Sequence, residues 1–189
     1  MKARMIKLRK NQTSFPTEVL FEQPWESLEI QAEGIDSLPN SLSEISTLRS
    51  LTLNCPNLTE INSRLFEMLT LEIFKMRNTT INSLPEVENP SPLKTLFLSG
   101  NQLGVTPHWF SKLPHLELLD ISGNKLTCVP EEISTMVSLR RLVLDRNQIE
   151  TLPNFLKNLK HLSHLSIDGN AFDEDEKARI GREFGIWFN

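Results

Sequence analysis

No apolar run in this chain approaches the length of a membrane span. A transmembrane helix, which needs about 20 such residues, is therefore not expected. Charge of one sign is also lacking. A net charge of −4 gives no global attraction to nucleic acid or to an anionic membrane. The first ten residues carry five positive charges, yet Asn11-Gln12-Thr13-Ser14 stands where the apolar core of an export leader would follow. That absence predicts a cytoplasmic chain, with a secreted or surface-exposed location open if a leader was removed. Cysteine occurs twice, at Cys55 and Cys128. Free, partly buried thiols suit a reducing compartment or a bacterial protein that makes no use of disulfides. With 39% hydrophobic and 23% charged residues in 189, one soluble domain spanning residues 1–189 is the expectation.

Signatures of catalysis are equally scarce. There is no Gly-rich phosphate loop, no G-x-S-x-G elbow and no H-E-x-x-H. No histidine precedes His108, so Cys55 has no near base to make it a nucleophile. His161 and His164 are close in sequence but have no third ligand, and they are read as surface residues. The acidic run 173–176 lacks the glycine and glutamate spacing of a calcium loop. The expectation is no enzyme, no metal and no cofactor.

What the chain does have is one phrase written four times. Leu-Phe-Leu-Ser-Gly-Asn-Gln-Leu at 96–103 returns as Leu-Asp-Ile-Ser-Gly-Asn-Lys-Leu at 119–126. It recurs as Leu-Val-Leu-Asp-Arg-Asn-Gln-Ile at 142–149 and Leu-Ser-Ile-Asp-Gly-Asn-Ala-Phe at 165–172. A fixed 23-residue period marks a repeat array. The alternation in L-x-L gives a short strand with one apolar side, which a single turn cannot bury alone. Successive turns must therefore stack and share one core. Asn101, Asn124, Asn147 and Asn170 fall where the chain leaves the strand, and an amide there satisfies turn groups that would otherwise be buried unpaired.

These residues resemble the leucine-rich repeats, in the 23-residue version with the phrase L-x-x-L-x-L-x-x-N-x-L followed by Leu-Pro or Val-Pro. The resemblance implies an α/β repeat solenoid, a horseshoe with a concave parallel β-sheet and looser helical or extended segments on the convex side. Repeat starts fall at Trp25, Leu48, Leu71, Leu93, Leu116, Leu139 and Leu162, spaced by 23 residues except for one interval of 22. That makes about seven repeats over 25–172. They are preceded by a degenerate amino-terminal cap repeat in 1–24, with Ile6 and Leu8 as its strand. Residues 173–189 form a helical carboxyl-terminal cap, with Asp173 as N-cap and Gly185 as its end. Ala178, Ile180 or Gly181, and Phe184 are expected to face the last repeat, and Ile186-Trp187-Phe188 to fold back over it. The ending is similar to that of bacterial, particularly spirochaete, leucine-rich repeat proteins. The cysteines then lie three repeats apart, and no Cys-rich end cap of the extracellular animal kind is present. In the third repeat, prolines 90 and 92 exclude a continuous helix in the convex segment.

Function in this architecture is implied to lie on the side chains that the strands push outward. The first outward column reads Met5, Ser27, Ser50, Ile73, Thr95, Leu118, Arg141 and His164. The second reads Lys7, Glu29, Thr52, Lys75, Phe97, Asp120, Val143 and Ser166. The third reads Arg9, Gln31, Asn54, Arg77, Ser99, Ser122, Asp145 and Asp168. Ile73, Phe97, Leu118 and Val143 would make an apolar patch in solvent centred on an aromatic, the residue type that anchors interfaces. The rival reading is that these four merely pack along their own sheet. Lys7, Arg9, Lys75 and Arg77 gather toward the amino end and Asp120, Asp145 and Asp168 toward the carboxyl end, an arrangement that would orient a partner. The candidate contact set is thus Ile73, Lys75, Arg77, Phe97, Leu118, Asp120, Arg141, Val143, Asp145, His164 and Asp168. Trp109 is expected on the convex surface beside a buried Phe110.

The expected function is protein–protein interaction, including host contact by a bacterial protein, with a protein partner, no nucleic acid, no membrane insertion, and a monomer or weak dimer. An intracellular scaffold of the small-GTPase-pathway type, or the substrate-binding part of a larger effector enzyme, are the alternatives. The effector reading is the weaker, since no catalytic domain follows the array before Asn189.

Overall fold

A chain whose apolar residues alternate over three to six positions, once per 23 residues, lays down one short strand per turn. The computed structural model, which describes residues 2–22 and 24–188, contains eight such strands: β1 (Ala3–Leu8), β2 (Ser27–Ala32), β3 (Ser50–Asn54), β4 (Ile73–Met76), β5 (Thr95–Phe97), β6 (Leu118–Asp120), β7 (Arg141–Val143) and β8 (His164–Ser166). They form one parallel sheet in strict sequence order, β1 to β8. From β2 on, the register steps one whole repeat at a time, so Leu28, Leu51, Phe74, Leu96, Leu119, Leu142 and Leu165 share one inward column. Leu28 through Leu142 in that column are at most 1% exposed. Removing one such side chain would cost about 2–5 kcal/mol in lost burial plus cavity.

The first strand departs from the sequence expectation. Its partners are Ala3 with Ser27, Met5 with Glu29 and Lys7 with Gln31, two residues away from the columns expected from the sequence. Met5 and Lys7 therefore move one column along, and Ala3 heads the first column. A two-residue slip keeps every side chain on its own face, so the apolar alternation is blind to it. Ile6 and Leu8 stack on Ile30 and Ala32, and Arg4 falls in the inward column, with its guanidinium 5.7 Å from the centre of the Trp25 ring.

Opposite the sheet, each crossover contains one short 3-10 turn in six of the seven cases. Proline stands immediately before five of these turns (Pro16, Pro39, Pro107, Pro130 and Pro153), where its fixed φ costs nothing. The exception is the short repeat. Between β4 and β5 no helical turn forms, although Leu84 and Val87 are still buried. The space left there is filled by aromatics. Phe66 stacks 4.9 Å from Phe74 and 5.0 Å from Trp109, which in turn meets Phe110 edge-on at 4.9 Å. This corrects the expectation of an exposed Trp109. It is 1% exposed, and its indole N–H donates to the Pro85 carbonyl at 2.9 Å. An irregular backbone needs both bulk and a donor, and a tryptophan supplies the two together.

Each turn out of the last four strands is pinned in the same way. Asn124 donates to the carbonyls of Leu98 and Ile121 and accepts from the Leu103 N–H, bridging two repeats. Asn101, Asn147 and Asn170 repeat that arrangement, with Thr79 supplying both donors to Asn101. The residue just before each Asn turns left-handed. Gly100, Gly123 and Gly169 have φ of 70°, 61° and 69°, and Arg146 adopts 55° without glycine's freedom. A Cβ on Gly100 would also meet Asn78 Oδ1, so that side chain would have to swing aside.

Beyond the last strand, α1 (Glu174–Phe184) is capped by Asp173, which accepts from the Glu176 N–H, and ends at Gly185 with φ 71°. Ile180 and Gly181 face inward, while Ala178 is exposed, contrary to expectation. Gly181 is required because the Trp187 ring lies where its Cβ would stand.

Candidate interaction face

Because core side chains take every second strand position, the intervening ones are carried to the open side of the sheet and arrive in columns. Ser27, Ser50, Ile73, Thr95, Leu118, Arg141 and His164 lie side by side, as do Met5, Glu29, Thr52, Lys75, Phe97, Asp120, Val143 and Ser166. Past the strands, the N–H of Asn78 donates to Ser99, that of Gly100 to Ser122, that of Gly123 to Asp145 and that of Arg146 to Asp168. The third column is thereby held in step too.

Phe97 sits on this face, between inward-buried Leu96 and Leu98, but it is half-buried. Two cations from the preceding repeat cover it. The Arg77 guanidinium lies 4.3 Å from the ring centre and the Lys75 ammonium 5.3 Å. Such contacts contribute about 0.5–1 kcal/mol each at exposed sites. The same Arg77 reaches Asp120 at 4.0 Å. Ile73, Lys75, Leu118 and Val143 are half-buried as well, and Arg77 and Arg141 are exposed. The four apolar residues are thus not a bare patch in solvent. Among the described residues the most exposed large apolar side chains are Met5, Phe21, Leu69, Val105, Val137 and Trp187, of which Met5 belongs to the second column.

Asp120 is a further correction. Only 9% exposed, it accepts from the Ser122 N–H at 3.1 Å and the Ser122 hydroxyl at 2.6 Å, closing its own turn rather than standing free. Asp145, half-buried, is engaged differently, reaching across to the next repeat to accept from the Ser166 hydroxyl and the Asp168 N–H. Asp168 and His164 are exposed. The acidic end of the face is therefore carried by fewer free carboxylates than the sequence suggested. For Asp120 the turn hydroxyl of Ser122 is the available signal, since a Ser two residues from an Asp often forms such a local bond.

Chemistry elsewhere is muted. Burial pushes the Cys55 thiol up to about 11, which keeps it protonated at neutral pH. Cys128 is exposed rather than partly buried. Among the described residues no three His, Cys, Asp or Glu side chains come together as a metal site, and no helix is long and apolar enough to cross a membrane.

Residues 91–149 match a family model described as leucine rich repeat. The fold, with its parallel strands in sequence order, is that of a leucine-rich-repeat solenoid. A probable inactive serine/threonine-protein kinase, roco10, of Dictyostelium discoideum is 30% identical over 118 residues, which is 60% of this chain but 4% of that protein. Among solved structures, the TLR13–ssRNA13 complex superposes with a TM-score of 0.71 at 21% identity, over 83% of this chain and 23% of that one. A leucine-rich repeat protein of Leptospira interrogans gives a TM-score of 0.51 at 20% identity, over 85% and 53% respectively. At such identities the two structures share the fold with this chain.

Proposed function

We propose that this leucine-rich-repeat solenoid is a polypeptide-binding module without catalytic activity, working as one unit over residues 1–189. Its contact surface is the open face of the sheet around Phe97. One observation carries the reading: a half-buried aromatic at the centre of the face, with Arg77 laid over it at 4.3 Å and leaning on Asp120 at 4.0 Å. The fold spends nothing of its core on Phe97, since the inward column beside it is complete without it. An aromatic with a guanidinium stacked on it offers a partner apolar area, a cation and directed N–H donors at one spot, the combination typical of binding hot spots. Ile73, Leu118 and Val143 extend the apolar centre. Lys75, Arg141, Asp145, His164 and Asp168 surround it as a mixed-charge border that sets partner orientation.

The fold is widely used for protein recognition, and that general role sets the class of partner. Capture from a native lysate on immobilised protein tests the assignment. The Phe97→Glu chain, folded as judged by circular dichroism, is expected to lose the partners that the wild-type chain retains. Recovery of the same partners by both would overturn it.

A further inference from the structure

The two ends of the sheet are closed unequally. At the amino end Ile6 and Leu8 are each 6% exposed. At the carboxyl end the inward column, buried from Leu28 to Leu142, finishes in a half-buried Leu165, and Leu162 beside it is half-buried too. The cause lies in how α1 is tied down. Glu176 accepts from the Leu152 N–H at 2.7 Å, and Arg179 donates back to the Leu152 carbonyl and to the Glu176 carboxylate. That clamp ties the helix to Leu152, in the crossover that precedes β8, while Ile167 and Phe172 are buried. On the strand side it leaves a groove of about 420 Å³ walled by Leu162, Leu165, Phe184 and Ile186, with Lys157 and His164 beside them.

The backbone of β8 is open along the same line. One repeat earlier, the Arg140 carbonyl accepts from Ser163 and His164, the Leu144 N–H donates to Ser166, and the Arg146 N–H donates to Asp168. The equivalent groups of the last repeat, the Ser163 carbonyl and the N–H groups of Ile167 and Gly169, make no hydrogen bond among the described residues.

We infer that β8 is a second docking edge, separate from the Phe97 face, which receives one extended strand of another polypeptide in parallel orientation, with apolar residues two apart. The sheet itself specifies that occupant. Seven consecutive steps all place a parallel strand against this hydrogen-bond pattern, and every inward position that follows β1 is apolar. Strand addition draws its affinity from main-chain bonds and its selectivity from alternate side-chain pockets, and both are present here. A second copy of this chain fits less well. Its exposed first strand would bring Arg4, the charged member of the inward column, over Leu165.

The test uses a fluorescent synthetic peptide with the sequence of residues 117–126, a segment that already adds in parallel to β5 within the chain. Titrated with the full-length protein, it should bind saturably and slow hydrogen exchange at the Ile167 and Gly169 amides. In the native sheet the Leu118 N–H points to the preceding strand, where it donates to Lys94. N-methylation at Leu118 should therefore weaken binding about tenfold, the effect of one lost hydrogen bond, and N-methylation at Leu119 by much less. Leu165→Asp should weaken binding at least as much, while Phe97→Glu should leave it unchanged. Absence of binding at millimolar peptide, or equal effects of the two N-methylations, would overturn the inference. So would end-to-end association of the protein alone in sedimentation velocity, which would make a second copy the occupant.

Discussion

The first and second halves of the solenoid keep the same register by different means. From β5 onward each turn carries an Asn that bonds across two repeats, preceded by a left-handed residue. Earlier, the Asn position is held by Glu33, Pro56 and Thr79, and the polar ladder is missing. There the stack relies on side chains that reach back one repeat: Thr47 to the Trp25 carbonyl, Asn57 to Glu33 and Thr70 to Leu48. The aromatic cluster of Phe66, Phe74, Trp109 and Phe110 bridges the change from one mode to the other. A parallel stack therefore needs a fixed step, and either buried polar bonds or bulk packing can supply it.

This contrast can be broken where the two modes meet. Trp109→Ala removes bulk and a donor at the irregular repeat, and about 3–5 kcal/mol of stability should go with it in urea unfolding. A loss below about 1 kcal/mol would mean that the cluster is incidental. Asn124→Ala orphans the buried Leu103 N–H and takes one of two amide donors from each of the Leu98 and Ile121 carbonyls, which keep Asn101 and Asn147. About 1–3 kcal/mol is expected for it, against less than about 0.5 kcal/mol for the exposed Asn57→Ala. Equal costs would erase the distinction between the halves.

The carboxyl end adds a pH dependence. The bond from Arg179 to Glu176, followed in importance by the Leu152 N–H bond, holds the Glu176 carboxyl below its ordinary value of 4.5. A depressed folded-state value means that the contribution is fully present above that ordinary value and is lost as pH falls through the folded one. Arg179→Ala should lower stability at neutral pH by about 2 kcal/mol, and this deficit should shrink on acidification below the ordinary carboxylate range. A deficit unchanged with pH would assign the effect to packing alone. The smallest effect is at Arg146, whose φ of 55° is glycine's by preference. Arg146→Gly should stabilise by about 0.5 kcal/mol, strain relief being offset in part by unfolded-chain entropy.

Much of this was legible in the residues. The 23-residue period places β2 to β8 and their inward columns, because an apolar residue at a fixed phase has no other way to be buried. The register of β1 was not, since a two-residue slip preserves the alternation and only the stacking of Ile6 on Ile30 reveals it. Trp109 was misjudged because the irregular third repeat opens a core space that a regular one would have filled. The sequence places Asp120 among the outward charges but does not show its bonds to Ser122, which depend on turn geometry. The cover of Arg77 over Phe97 likewise arises between repeats, at a level that columns of letters do not resolve.

Alternation of a committed core face with an uncommitted open face is tested most directly by two adjacent substitutions. Leu96→Glu buries an unpaired carboxylate in the inner column and should abolish cooperative thermal unfolding. Phe97→Glu should keep the transition within a few degrees, the shift that about 1 kcal/mol produces in a domain of this size. Similar losses at both positions would contradict the assignment of the two faces.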